Sequence, residues 1–128
     1  MTYFTQTTKA LALMAALALP AMAFAAEPAM VDKSNGVLTD HGGMALYTFD
    51  KDLDGKSMCN DQCAKNWPPL MAEKGAEPMG EWTLITRDDG KKQWAYEGKP
   101  IYTYAMDKKG EKPTGDGKGG VWHVVKAD

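Results

Sequence analysis

The strongest constraint on how this chain can fold is that part of it is written twice. Leu46-Tyr47-Thr48-Phe49 followed by Asp52 returns as Ile101-Tyr102-Thr103-Tyr104 followed by Asp107, 55 positions on (47 to 102). Each copy is followed by a turn rich in Lys and Gly and then by a tryptophan, Trp67 and Trp122. Self-similarity at a fixed period marks two copies of one supersecondary unit that share a core. Side chains alternate along a strand, so the two rings of each copy fall on one face. Such rings are expected to fill the core; the alternative, an aromatic ligand platform, needs that face exposed. An aspartate just past a strand end is expected to close a turn on its own backbone.

The remaining punctuation is that of a β protein. Segments 37–38, 45–49, 82–86, 93–96, 101–104 and 121–125 are rich in β-branched and aromatic residues and bounded by Gly, Pro or Asp. Arg87-Asp88-Asp89-Gly90 and Glu97-Gly98-Lys99-Pro100 read as hairpin turns. The stretch 58–66 predicts a helix of two or three turns, capped by Ser57 and ended by Pro68-Pro69. Segment 108–120 reads as a surface loop. The expected fold is mostly β: a small antiparallel domain of two related units, about 36–70 and 82–126, plus one short helix carrying Cys59 and Cys63.

The N-terminal residues predict export. Lys9 is followed by the apolar run Ala10 to Leu19, then Pro20, then the small-x-small pattern Ala23-Phe24-Ala25. The run is shorter than the roughly 20 apolar residues of a membrane span. Cleavage near Ala25 would leave 26–35 as a flexible lead-in and 36–128 as a single periplasmic or secreted domain. No cysteine follows the apolar run before Cys59, so neither a lipid anchor nor a membrane span is expected. The 17 acidic and 15 basic residues are interspersed, with a net charge of −2. Without a basic stripe, no nucleic-acid partner is expected.

Several motifs together resemble one family. They are the two Tyr-x-aromatic-x-x-Asp units, Gly55-Lys56-Ser57-x-Cys59-x-x-x-Cys63 with Asn66-Trp67-Pro68-Pro69-Leu70, and the ending Gly115-Asp116-Gly117-Lys118-Gly119-Gly120-Val121-Trp122. They look like the bacterial secreted-repeat family, also described as predicted lipoproteins with a Yx(FWY)xxD motif. The resemblance covers about 36–125 and departs in lacking the lipobox cysteine. It implies a small envelope protein and assigns no catalytic residue.

Chemistry-bearing residues are few. An even pair of cysteines in an exported chain favours a disulfide between Cys59 and Cys63. A dinuclear copper loop would need a histidine where Trp67 stands, and a c-type haem one where Ala64 stands. A thioredoxin-like pair would have two intervening residues, not three. Asp50, Asp52 and Asp54, with Asp61 at the twelfth position, have the spacing of a calcium loop. Aspartate replaces the usual closing glutamate, and a strand precedes it. His41 and Met44, with Met58 and His123, offer the imidazole and thioether donors of a copper site. The six methionines Met30, Met44, Met58, Met71, Met79 and Met106 read as core fillers or as an oxidant sink. His123 alternates with Trp122 and is expected to be exposed.

No nucleophile–base pair and no phosphate loop can be identified; Gly117 to Gly120 lacks the Lys-Ser/Thr of a P-loop. The functional expectation is a non-enzymatic binding or interaction module of the envelope. Its partner, a protein or small ligand, is unassigned, and no cofactor is expected. The alternatives are metal handling, with copper or calcium, and methionine-based oxidant protection.

Overall fold

The computed structural model describes residues 27–127; the expected leader and its cleavage site lie outside them. In chain order the elements are β1 (Met30–Asp32), β2 (Val37–Thr39), β3 (Tyr47–Phe49), α1 (Gln62–Asn66), β4 (Trp82–Thr86), β5 (Lys92–Tyr96), β6 (Lys99–Pro100), a 3-10 turn (Lys118–Gly120) and β7 (Trp122–Val124). All strand pairs are antiparallel: β1 with β2, β3 with β7, and β4-β5-β6 as a three-stranded sheet. The fold is mostly β with one short helix, as the sequence predicts. Among the described residues no helix is long and apolar enough to cross a membrane.

The two repeat units do not sit side by side; they interlock. Tyr47 N–H donates to Tyr102 C=O at 2.8 Å and Tyr102 N–H donates back to Tyr47 C=O at 3.0 Å. Away from this central pair, two further pairs of bonds repeat 55 positions on. Asp50 N–H reaches Val121 C=O at 2.8 Å, and Ala105 N–H reaches Asn66 C=O at 2.9 Å. Val125 N–H reaches Leu46 C=O at 2.8 Å, and Leu70 N–H reaches Ile101 C=O at 2.9 Å. Exchanging the copies therefore maps bonds onto bonds, which defines an approximate two-fold axis between Tyr47 and Tyr102. Each tyrosine strand pairs with the closing segment of the other unit, 66–70 or 121–125.

The symmetry is imperfect for a covalent reason. β7 pairs continuously with β3 through Phe49–Trp122, Thr48–His123 and Tyr47–Val124. The matching partner of Ile101–Tyr104 contains Pro68 and Pro69, which have no N–H to donate. Only an isolated bridge, Pro69–Tyr102, forms there, so the predicted strand 101–104 is not a ladder.

Two hydrophobic clusters result. One surrounds the axis, with Tyr47, Cys59, Trp67, Tyr102, Tyr104 and Trp122. The other lies beneath the hairpins, with Leu46, Trp82, Trp94 and Ile101. Glu97 and Gly98, with φ of 53° and 83°, form the tight β5–β6 turn, which needs left-handed residues at both places.

Two expectations are corrected. Residues 30–32 of the expected lead-in form β1, because Met30, Val31 and Asp32 pair with Thr39, Leu38 and Val37. The helix covers only Gln62–Asn66, and Ser57 does not cap it. Its hydroxyl is bonded to Tyr102, the Met58 N–H to Asp52 and the Cys59 C=O to Arg87, so 57–59 has its polar groups committed outside a helix.

The interlock sets an expectation for dissection. Cutting the exposed loop after Gly75 and co-expressing 26–75 with 76–128 should give a folded one-to-one complex. Each fragment alone should show random-coil amide dispersion by NMR, since each lacks the pairing partner for its tyrosine strand. A folded monomer from either fragment would contradict the interlock.

Candidate functional site

The two tyrosines at the axis each reach a carboxylate of the opposite unit. Tyr47 O–H donates to Asp107 Oδ2 at 2.6 Å, and Tyr102 O–H donates to Asp52 Oδ2 at 2.7 Å. The second oxygen of each aspartate holds its own turn. Asp52 Oδ1 accepts from Met58 N–H at 2.7 Å; Asp107 Oδ1 accepts from Thr114 N–H at 2.8 Å and Thr114 O–H at 2.6 Å. Each aspartate thus closes a turn, as expected, and also ties one unit to the other. Burial, followed for Tyr47 by the Asp107 hydrogen bond, holds that phenol's proton well above the ordinary range. At Tyr102 burial again dominates; Ser57 opposes it and Asp52 reinforces it. Burial also raises Asp52, opposed by the Met58 N–H, the Tyr102 hydroxyl and the Arg87 charge.

Between these bonds the remaining motif rings form one stack. Phe49 lies on Trp122 at 4.2 Å and 12°, Trp122 on Trp67 at 3.9 Å and 4°, and Trp67 on Tyr104 at 4.0 Å and 20°. Tyr47 and Tyr102 meet Trp67 and Trp122 edge-on at 5.1 and 5.2 Å. Parallel stacking inside and perpendicular edges outside are the arrangements aromatic quadrupoles favour. Tryptophans from the two units therefore face one another across the axis. Gly115 seals one end of the stack: a Cβ there would lie 2.7 Å from Trp67 Cη2 and 2.9 Å from Tyr104 Cδ2.

Sequence reasoning did not single out Arg87. It is only 7% exposed, and its guanidinium donates to Ser57 Oγ (3.0 Å), Gln93 Oε1 (2.8 Å), Cys59 C=O (2.7 Å) and Asn60 Oδ1 (3.2 Å). Tyr102 gives its proton to Asp52, so the 2.6 Å Ser57–Tyr102 contact runs from Ser57. A directed chain from Arg87 through Ser57 and Tyr102 to Asp52 results. In sequence Arg87 opens an Asp-Asp-Gly turn and is indistinguishable from a solvated turn residue.

A family model described as a secreted repeat of unknown function matches the chain twice, over residues 29–71 and 83–126. The chain belongs to the secreted-repeat family. The first match begins before the expected unit and takes in β1. No curated protein and no solved structure matches the chain.

In this secreted-repeat protein the cysteines form the Cys59–Cys63 disulfide, with Cα atoms 5.2 Å apart. Asp50 pairs with His123, Oδ2 to Nε2 at 2.8 Å, and both side chains are about half exposed, as expected for His123. Asp52 is engaged as above, while Asp54 and Asp61 are exposed. Among the described residues no three His, Cys, Asp or Glu side chains form a group that could hold a metal ion. His41 Nε2 lies 2.6 Å from Glu27 C=O. Asp40 gathers the Gly42 and Met44 N–H groups, whereas Met58 belongs to the loop after Asp52. None of the six methionines between Met30 and Met106 is fully buried; Met79 packs against the Leu46 cluster, whereas Met30, Met58, Met71 and Met106 are exposed, so the core-filler reading is corrected for those four.

Two clefts open on this framework. One of about 990 Å³ lies between loop 70–79 and the 40–42 turn. The other, about 380 Å³, lies over the edges of Trp67, Trp122 and Tyr104, with Met106 and Lys118 on its rim. This second cleft sits where the two-fold symmetry fails. On the opposite side, 55 positions back, α1 and the disulfide replace the 3-10 turn, and Phe49 replaces Tyr104.

A phenol that holds its proton more tightly when folded favours folding while protonated, and the advantage fades as pH rises past about 10. Alkaline titration should therefore show Tyr47 and Tyr102 ionising only with unfolding, in a steep phenolate absorbance step. Tyr47→Phe and Tyr102→Phe should each reduce that step and lower stability at neutral pH by about 1.5–3 kcal/mol, the value of a hydrogen bond to a charged group. Smooth ionisation of both phenols in the folded protein would contradict this account.

Proposed function

We propose that the protein is an exported, non-enzymatic binding module of the cell envelope, and that the 380 Å³ cleft beside Trp67 and Trp122 is its ligand site. The observation carrying this reading is where the symmetry breaks. The interlocked rings and carboxylates serve both units alike, yet at one end the helix and disulfide are exchanged for a glycine-rich turn that leaves the aromatic edges reachable. The cleft's volume falls in the range of small-molecule sites, and its apolar walls carry a few polar groups, as such sites do. A mixed small-molecule library titrated by NMR should shift the backbone amides of 104–106 and 117–121. A library of several hundred compounds that leaves those amides unmoved would overturn the assignment.

A second reading, methionine-based oxidant protection, is favoured by a separate observation. Met30, Met58, Met71 and Met106 are 50%, 47%, 42% and 70% exposed, although methionine is ordinarily among the buried residue types. Exposed thioethers take up hypochlorous acid as sulfoxides, which reductases can reverse. Sub-stoichiometric hypochlorous acid should give sulfoxide at these four positions by mass spectrometry, with circular dichroism unchanged. Oxidation that spares them, or that unfolds the chain, would exclude this role.

A further inference from the structure

We propose that the cleft beside the tryptophan pair takes an organic anion, a carboxylate carried on a flat apolar body, with Lys118 and Tyr104 as its recognition residues. This inference rests on the binding-module reading and names the ligand class of the same site.

Three hydrogen-bonding groups at the cleft lack a partner among the described residues. Trp67 and Trp122 are each 6% exposed and Tyr104 is 8% exposed, and all three line the cleft. Neither indole N–H, nor the Tyr104 hydroxyl, has a hydrogen-bond partner among the described residues. Buried polar groups are bonded in the great majority of cases. The contrast with the other two core tyrosines is direct, since Tyr47 and Tyr102 each bond a carboxylate. An indole N–H can only donate, so what completes the two indoles must accept, and the Tyr104 hydroxyl can donate to the same acceptor.

Charge points the same way. Lys118 lines the cleft with its ammonium 5.9 Å from the centre of the Tyr104 ring, and it makes no ion pair among the described residues. None of the residues lining the cleft is acidic, although acidic residues outnumber basic ones in the chain as a whole. The counterpart of Ala105 is Asp50, which binds His123; the counterpart of Lys118 is Cys63, locked in the disulfide; the counterpart of Tyr104 is Phe49, without a hydroxyl. On the cleft side a carboxylate is thus replaced by a methyl group, and a cation and a hydroxyl are added. The apolar body follows from the walls: tryptophan and tyrosine edges together with the thioether of Met106, which is 70% exposed. Edge contacts from rings and sulfur suit a flat π system.

The test is an NMR titration of the mature protein, following the side-chain indole N–H signals, with three probes of one shape. These are phenylacetate, its neutral amide phenylacetamide, and the cation phenethylamine. Phenylacetate should shift the Trp67 and Trp122 indole signals in a saturable way and bind at least about tenfold more tightly than either other probe, a difference of about 1.4 kcal/mol. Lys118→Glu should abolish that preference, and Tyr104→Phe should weaken phenylacetate at least about threefold while leaving the ring stack in place. Phosphate should not reproduce the shifts, because it lacks the apolar body. If the amide or the amine binds as well as phenylacetate, the anion assignment fails while the cleft remains a ligand site. If no probe shifts the indole signals, the anion assignment fails, and the library titration decides separately whether the cleft binds anything. If Lys118→Glu leaves phenylacetate binding intact, the recognition role of Lys118 is overturned.

Discussion

Everything in this fold hangs on two phenol–carboxylate bonds that cross between the repeat units. A buried carboxylate without partners is costly, and so is a buried phenol. Each unit supplies one of each, and neither unit brings its own pair together. The buried Asp107 and the half-buried Asp52 are completed when the other unit delivers Tyr47 and Tyr102. The backbone repeats the exchange, since each tyrosine strand pairs with the other unit's closing segment. The ring stack then forms where the two closing tryptophans meet. Polar satisfaction, strand pairing and aromatic burial thus all require both units at once.

Much of this was legible in the amino-acid order. The repeat announced two units, and alternation placed Tyr47 with Phe49 and Tyr102 with Tyr104 on common faces. The hairpins at 82–96 and 97–100 followed from turn chemistry. Alternation could not say which unit each side chain would meet, because a single strand looks the same whether its partner is near or distant in sequence. The place of the aspartates just past a strand end predicts local turn-formers, which is half of what they do. The sequence predicts a longer helix than Gln62–Asn66 because Ser57 has the chemistry of a cap. Its hydroxyl is instead bonded to Tyr102, 45 positions away. Arg87 illustrates the same limit: its neighbours in sequence are exposed turn residues, and its neighbours in space are buried.

The candidate site was less legible still. Trp67 and Trp122 were singled out as motif residues, but their joint edge becomes a cleft wall only once the axis is known. Lys118 stands in the glycine-rich ending and Met106 among the scattered methionines, and nothing in sequence marks either as part of a cleft. What distinguishes them is comparison with the equivalent places in the other unit, where Cys63 and Lys51 stand. In a duplicated fold that internal comparison serves as a control, since shared features maintain the core and unshared ones are free to specialise.

The loop joining the units, residues 72–81, has a consequence beyond topology. Two separate chains with this interlock would have to find each other, and their folding would depend on how much protein is present. Tethered by a short connector, the halves meet at an effective local concentration on the order of millimolar. A molecule built like a dimer can therefore stay folded at any dilution, because its halves cannot drift apart.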